Sequence, residues 1–108
     1  MAGTVIQPFQ AIGDTVNNQF SNSNEVLALT VPSYPVNGFQ VRVYNSDATN
    51  ALFIKFGTSV STTATTAAGM PIPPGTVETF TVDNNITHVA GISAAGTPTV
   101  YFTSGGGA

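Results

Sequence analysis

The stretch FQVRVYNSDATNALFIKFG, Phe39 to Gly57, constrains the chain most, because it holds two runs of strict two-residue alternation on either side of a Ser, Asp and Asn cluster. In the first run Phe39, Val41 and Val43 alternate with Gln40, Arg42 and Tyr44; in the second Leu52, Ile54 and Phe56 alternate with Ala51, Phe53 and Lys55. That is the period of half-buried strands, not of a helix. The simplest expectation is a hairpin with Val43 opposite Leu52, Val41 opposite Ile54 and Phe39 opposite Phe56, which makes one face continuously apolar. A slip of two residues would set Arg42 against Lys55, the only two cations in the chain, and like charges directly opposed destabilise a sheet. Two runs in different sheets of a sandwich are the alternative.

The same punctuation recurs along the chain. Glu25–Val31 reads as a strand, being too short for a stable helix and running into Pro32. Pro32, Pro35, Asn37 and Gly38 then make a tight connection. PIPPG, Pro71 to Gly75, delivers a strand over Thr76–Val82, with Glu78, Phe80 and Val82 on one face. Ile86–Ser93 places Ile86, His88, Ala90 and Ile92 on one face, and Thr99–Thr103 carries Val100 and Phe102 inward. Six or seven short strands with turn signals about every 8 to 12 residues predict an all-β, antiparallel β-sandwich, jelly-roll-like, in a single domain with an N-terminal arm. A chain of 108 residues is long enough to bury roughly two thirds of its unfolded surface and fold as one domain. The expected boundaries are an arm or edge strand over residues 1–16, the sandwich over 17–104 with NNQFSNSN as a turn around Phe20, and a loose glycine-rich tail over 105–108.

Only 6% of the residues are charged, against about 25% in an ordinary domain. The polar surface is therefore made of Thr, Ser, Asn and Gly, groups that pack against a neighbouring protein without the desolvation penalty of buried charge. This predicts a surface partly covered in an assembly. A net charge of −3 with two dispersed cations argues against nucleic acid, which requires clustered Lys and Arg. No stretch approaches the ~18 apolar residues of a membrane span, and the N-terminus carries no basic and apolar leader pattern, so the expectation is a chain made in the cytoplasm with no membrane partner. The absence of cysteine removes disulfides and cysteine-based metal sites.

Catalytic patterns are missing. A lone imidazole, His88, does not make a metal site; a triad of His88, Asp83 and a serine lacks a nucleophile elbow and an oxyanion motif; Glu25, Glu78 and the aspartates form no recognisable glycosidase pair. Asp47 and Asp83 sit beside Asn in turns, where capping of the turn backbone explains them without calcium. The expectation is a protein that is not an enzyme, with no cofactor and no metal. The contact candidates are apolar instead. In the N-terminal segment Val5, Ile6 and Phe9 have no charged neighbour, and Pro8 withholds a ladder donor. Burying these three on a neighbour contributes on the order of 3 to 6 kcal/mol before ordering costs. The aperiodic Thr58–Met70 stretch is long for a loop in a small domain; with the PIPPG turn that follows, it offers Val60, Met70 and Ile72. Tyr34, Tyr44 and Tyr101 are aromatics suited to stacking on sugars or to an ordinary sheet rim.

The segments VRVYNSDATNALFIKFG, PIPPGTVETFTV and ITHVAGISAAGTPTVYFTSGGG, taken in that order over Phe39 to Gly107, resemble small structural proteins of tailed bacteriophages. That resemblance implies a capsid decoration, or cement, protein on the outer surface of the virion. Its implied partners are the major capsid protein and further copies of itself, a trimer before a dimer. The alternative is a virion surface binding module, a head-fibre base or a domain that recognises host glycans.

Overall fold

Burial along Phe39–Asn45 (β3) alternates as the sequence requires: Phe39, Val41, Val43 and Asn45 are buried, while Arg42 and Tyr44 are exposed. Seven other strands accompany it in the computed structural model, which describes residues 10–29, 31 and 38–106. They are β1 (Gln10–Gln19), β2 (Glu25–Ala28), β4 (Leu52–Gly57), β5 (Met70–Ile72), β6 (Val77–Val82), β7 (His88–Ile92) and β8 (Thr99–Gly106). They form two four-stranded sheets, ordered β1-β8-β3-β6 and β2-β7-β4-β5, with every pairing antiparallel. There is no helix among the described residues. The antiparallel β-sandwich read from the sequence is what forms, and this strand order is that of a jelly roll.

The expected hairpin is corrected. β3 pairs with β6 and β8, whereas β4 pairs with β5 and β7 in the opposite sheet. An apolar face turned toward one shared core has the same alternation whether its partner lies beside it or across from it, so periodicity does not distinguish the two. Among the described residues β4 and β5 are the only consecutive strands that share a sheet; every other pair of consecutive strands lies on opposite sides of the sandwich.

The β3–β4 crossing is built on Asn45, whose side chain is fully buried. Its Nδ2 donates to the Asn50 carbonyl at 3.0 Å and the Ile72 carbonyl at 3.1 Å, and its Oδ1 accepts from the Asp47 backbone N–H at 3.1 Å. The Asn45 backbone is bonded on both sides as well, to the Thr76 carbonyl and the Gly75 N–H. Asp47 then closes the loop by accepting from the backbone N–H groups of Thr49 and Asn50 at 3.0 and 2.7 Å. These bonds hold its carboxyl below the ordinary value of 3.8.

The core lies between the sheets and contains Phe20, Phe39, Val41, Val43, Leu52, Ile54, Ile72, Val89, Val100 and Phe102. Phe20 meets Phe102 edge-on, with ring centroids 6.1 Å apart. It packs so closely beneath β7 that a Cβ on Gly91 would fall 2.5 Å from its ring. At the opposite end Gly38 has a φ of 101°, and a Cβ there would meet the Val82 carbonyl oxygen at 2.3 Å, so glycine is required twice over.

Residues 10–16, read as part of an arm or edge strand, are edge strand: they belong to β1, which lies at the margin of its sheet and opposes β8 from Gln10↔Gly106 to Gln19↔Thr99 with a register shift between Ala11 and Thr15. The strand is legible only in part because this irregularity interrupts its period. At the other end β8 continues through Gly105 and Gly106, paired to β1 and with Gly105 opposite Gln40 of β3. These two glycines are therefore strand and not tail, Gly105 with a partner on each edge and Gly106 with one on β1.

Candidate interaction surfaces

Of the apolar contact residues expected from the sequence, Val5, Ile6 and Phe9 lie outside the described residues, as does Tyr34. Ile72 is corrected: it is fully buried and paired with Leu52, so its side chain is core and offers nothing to a partner. Met70, two residues back and at the start of the same strand, is 39% exposed. Val60 stands out with 75% exposure.

Val60 sits on a connection that is anchored at its middle. Asn24, in the β1–β2 turn, donates from Nδ2 to the Thr62 carbonyl at 3.2 Å and accepts at Oδ1 from the Ala64 N–H at 2.7 Å. Ala64 is buried as a result. On one side of this anchor the Ser59–Thr62 turn carries Val60, closed by the Thr62 N–H on the Ser59 carbonyl; on the other, Gly69 N–H bonds the Thr65 carbonyl. Between the loop and β4 lies an open hollow of about 390 Å³ lined by Lys55, Thr63, Ala64, Thr65, Ala68 and Gly69. The long connection is thus a presented surface with a fixed root.

A second surface forms on the outer face of the β1-β8-β3-β6 sheet. Tyr44 and Tyr101 are directly opposed across β3 and β8, with ring centroids 6.1 Å apart and planes inclined by 22°. Their row continues to Asn17 on β1 and to Val77 on β6. Tyr44, Tyr101 and Val77 are 41%, 37% and 52% exposed. The adjacent row runs Thr15, Thr103, Arg42, Thr79, with the Thr15 and Thr103 hydroxyls 2.8 Å apart. No pattern along the sequence marks this pair, since Tyr44 and Tyr101 come together only through the β3–β8 pairing.

The polar residues considered for chemistry have local tasks. His88 is half-buried on β7, its Nδ1 2.7 Å from the Thr87 hydroxyl. Glu25 accepts from Asn18 Nδ2 and Ser21 Oγ, each at 3.2 Å, and so ties the β1–β2 turn. Asp47 caps its own loop. Among the described residues no group of three or more His, Cys, Asp or Glu is placed to hold a metal ion, and no helix is long and apolar enough to cross a membrane. No protein-family model matches this chain, and no curated protein matches it in sequence.

Proposed function

We propose that this chain is a virion structural protein, a capsid decoration or cement protein that binds the outside of an assembled bacteriophage head and bridges major capsid protein subunits. The observation that supports this most is a self-sufficient sandwich core beneath an almost uncharged exterior. The inward positions of both sheets are filled from within the chain, while Val60 and Met70 remain at the surface around a rooted loop. Such a face desolvates cheaply against another protein, because it has apolar area to bury and few charges to strip of water. The sequence resemblance over Phe39 to Gly107 points to the same role.

In this proposal the contacts to the shell come from Val60 and Met70 together with Val5, Ile6 and Phe9, and the protein acts as a homo-oligomer, a trimer in preference to a dimer. Closed symmetry multiplies weak contacts, since several sites held together bind far more tightly than one. Imaging particles produced with and without this protein tests the reading. Density of jelly-roll size on the outer surface, present only with the protein, is the expected result, and identical outer surfaces would overturn it. A second reading, a virion surface module that recognises host glycans or bases a head fibre, is favoured by the exposed Tyr44–Tyr101 pair.

A further inference from the structure

The outer face of the β1-β8-β3-β6 sheet combines three properties in a small area. It holds two adjacent exposed aromatic rings, Tyr44 and Tyr101, extended by Val77. Around them stand neutral hydrogen-bonding groups that both donate and accept: the Asn17 amide and the hydroxyls of Thr15, Thr79, Thr99 and Thr103. Among the described residues its one charged group is Arg42, which has an interaction of its own within the chain. A cross-strand tyrosine pair stabilises a sheet by only ~0.2 to 1 kcal/mol, and that contribution does not require leaving both rings bare.

We propose that this face is a saccharide-binding platform, on which an uncharged sugar ring packs against the exposed side of the stacked Tyr44–Tyr101 pair while Asn17 and the flanking threonine hydroxyls take its hydroxyl groups. The ring of a neutral sugar presents a face of C–H groups, which suits an aromatic plane, and an equatorial rim of hydroxyls that are donors and acceptors at once. Hydroxyl and amide side chains answer that rim; carboxylates or ammonium groups would answer only half of it. Anionic ligands fit less well. A nucleic acid stacks its bases on tyrosines but also needs cations for its phosphates, and the whole chain has two. Size decides against a second copy of the chain. Three side chains at this exposure offer apolar area on the order of 250 Å², well short of the ~800 Å² per partner that a stable protein interface buries and close to the footprint of one or two sugar rings.

This inference rests on the geometry of the sheet face and not on shell binding, so the two fail separately. The test is saturation-transfer difference NMR on the full chain with cellohexaose, maltohexaose and chitohexaose, each at about 10 mM, where a millimolar site is nearly filled. Tyrosine fluorescence gives an independent readout, since the chain has three tyrosines and no tryptophan. The expected result is transfer to ring C–H protons of at least one probe. Affinity should fall at least about tenfold in Tyr44→Thr and in Tyr101→Thr, and survive within about threefold in Tyr44→Phe; threonine is chosen because it keeps the strand propensity. Melting temperature of each variant shows whether it is folded, and Asn17→Ala, at the edge of the row, gives a milder second variant that should weaken binding severalfold. No transfer from any of the three probes would overturn the proposal. So would binding unchanged in the folded Tyr44→Thr, Tyr101→Thr double variant, or light scattering showing that the double variant dissolves an oligomer, which would make the face a contact between copies.

Discussion

Asn45 shows how one residue sets the direction of the chain. Its side chain makes three hydrogen bonds inside the sandwich, to the Asn50 and Ile72 carbonyls and from the Asp47 N–H, and so joins the end of β3, the crossing loop and β5. Asn45→Leu removes all three, taking a partner from the buried Ile72 carbonyl and from the half-buried Asn50 carbonyl and Asp47 N–H. With ~1 to 3 kcal/mol for each buried group left unsatisfied, the expected loss is about 2 to 4 kcal/mol in urea unfolding at neutral pH; a loss under about 1 kcal/mol would mean that the corner is held by the backbone alone. Asp47, in the same loop, makes stability depend on pH. Its carboxyl is held below 3.8 by the N–H groups of Thr49 and then Asn50. A carboxyl lowered in the folded state stabilises above its unfolded value and loses that contribution as pH falls through the folded one. Thermal melting should therefore separate the wild type from Asp47→Ala fully at pH 6, and the gap should narrow steadily below about pH 4. A gap that stays constant down to pH 2 would contradict the assignment. Phe20 and Gly91 form the third residue-scale device. Gly91→Ala should be destabilising because the added Cβ has only the Phe20 ring to displace. The penalty should shrink in a Phe20→Leu background, as coupling between contacting residues requires.

At the scale of elements, the strands were legible where alternation is clean and the turns are marked by Pro, Gly or Asn. Phe39–Asn45, Leu52–Gly57 and Val77–Val82 emerge within a residue of their sequence-read bounds. Their partners were not legible, because a sandwich has two apolar faces with identical period and nothing in β3 or β4 says which faces which. The missing information is in the corner: a buried asparagine followed by a capped loop sends the chain across, and an unaided sequence shows Asn45 only as another turn former. β1 was obscured for a different reason. Its register shift between Ala11 and Thr15 breaks the period, and Phe20, its anchor, sits just past the strand among polar residues that read as a turn. The candidate surfaces divide the same way: Val60 and Met70 are visible as apolar residues in a long connection, Ile72 is hidden as the last residue of a three-residue strand inside what reads as a Pro-rich turn, and the tyrosine pair depends on a strand pairing 57 positions apart in the chain. One prediction belongs to this scale. Removing residues 1–9 leaves β1 intact from Gln10 and should shift the melting temperature little, whereas removal through Gln19 strips an edge strand from β8 and should abolish cooperative unfolding.

For the whole molecule, the proposal is that an assembled phage head covers a jelly roll whose core is closed and whose exterior is nearly free of charge. Purified in solution, the protein should scatter as a closed oligomer, near three times the 11.0 kDa of one chain. On the shell its effect follows from mass action: a ligand that binds the assembled lattice and not free subunits raises the stability of the lattice with the logarithm of the ratio of its concentration to its dissociation constant. The most direct measurement is calorimetric melting of heads stripped of this protein, before and after it is added back. The head transition should move to higher temperature as sites fill and then climb only logarithmically with further protein, and the chain lacking residues 1–9, folded but deprived of Val5, Ile6 and Phe9, should shift it less. Bare and saturated heads that melt at the same temperature would contradict the proposal.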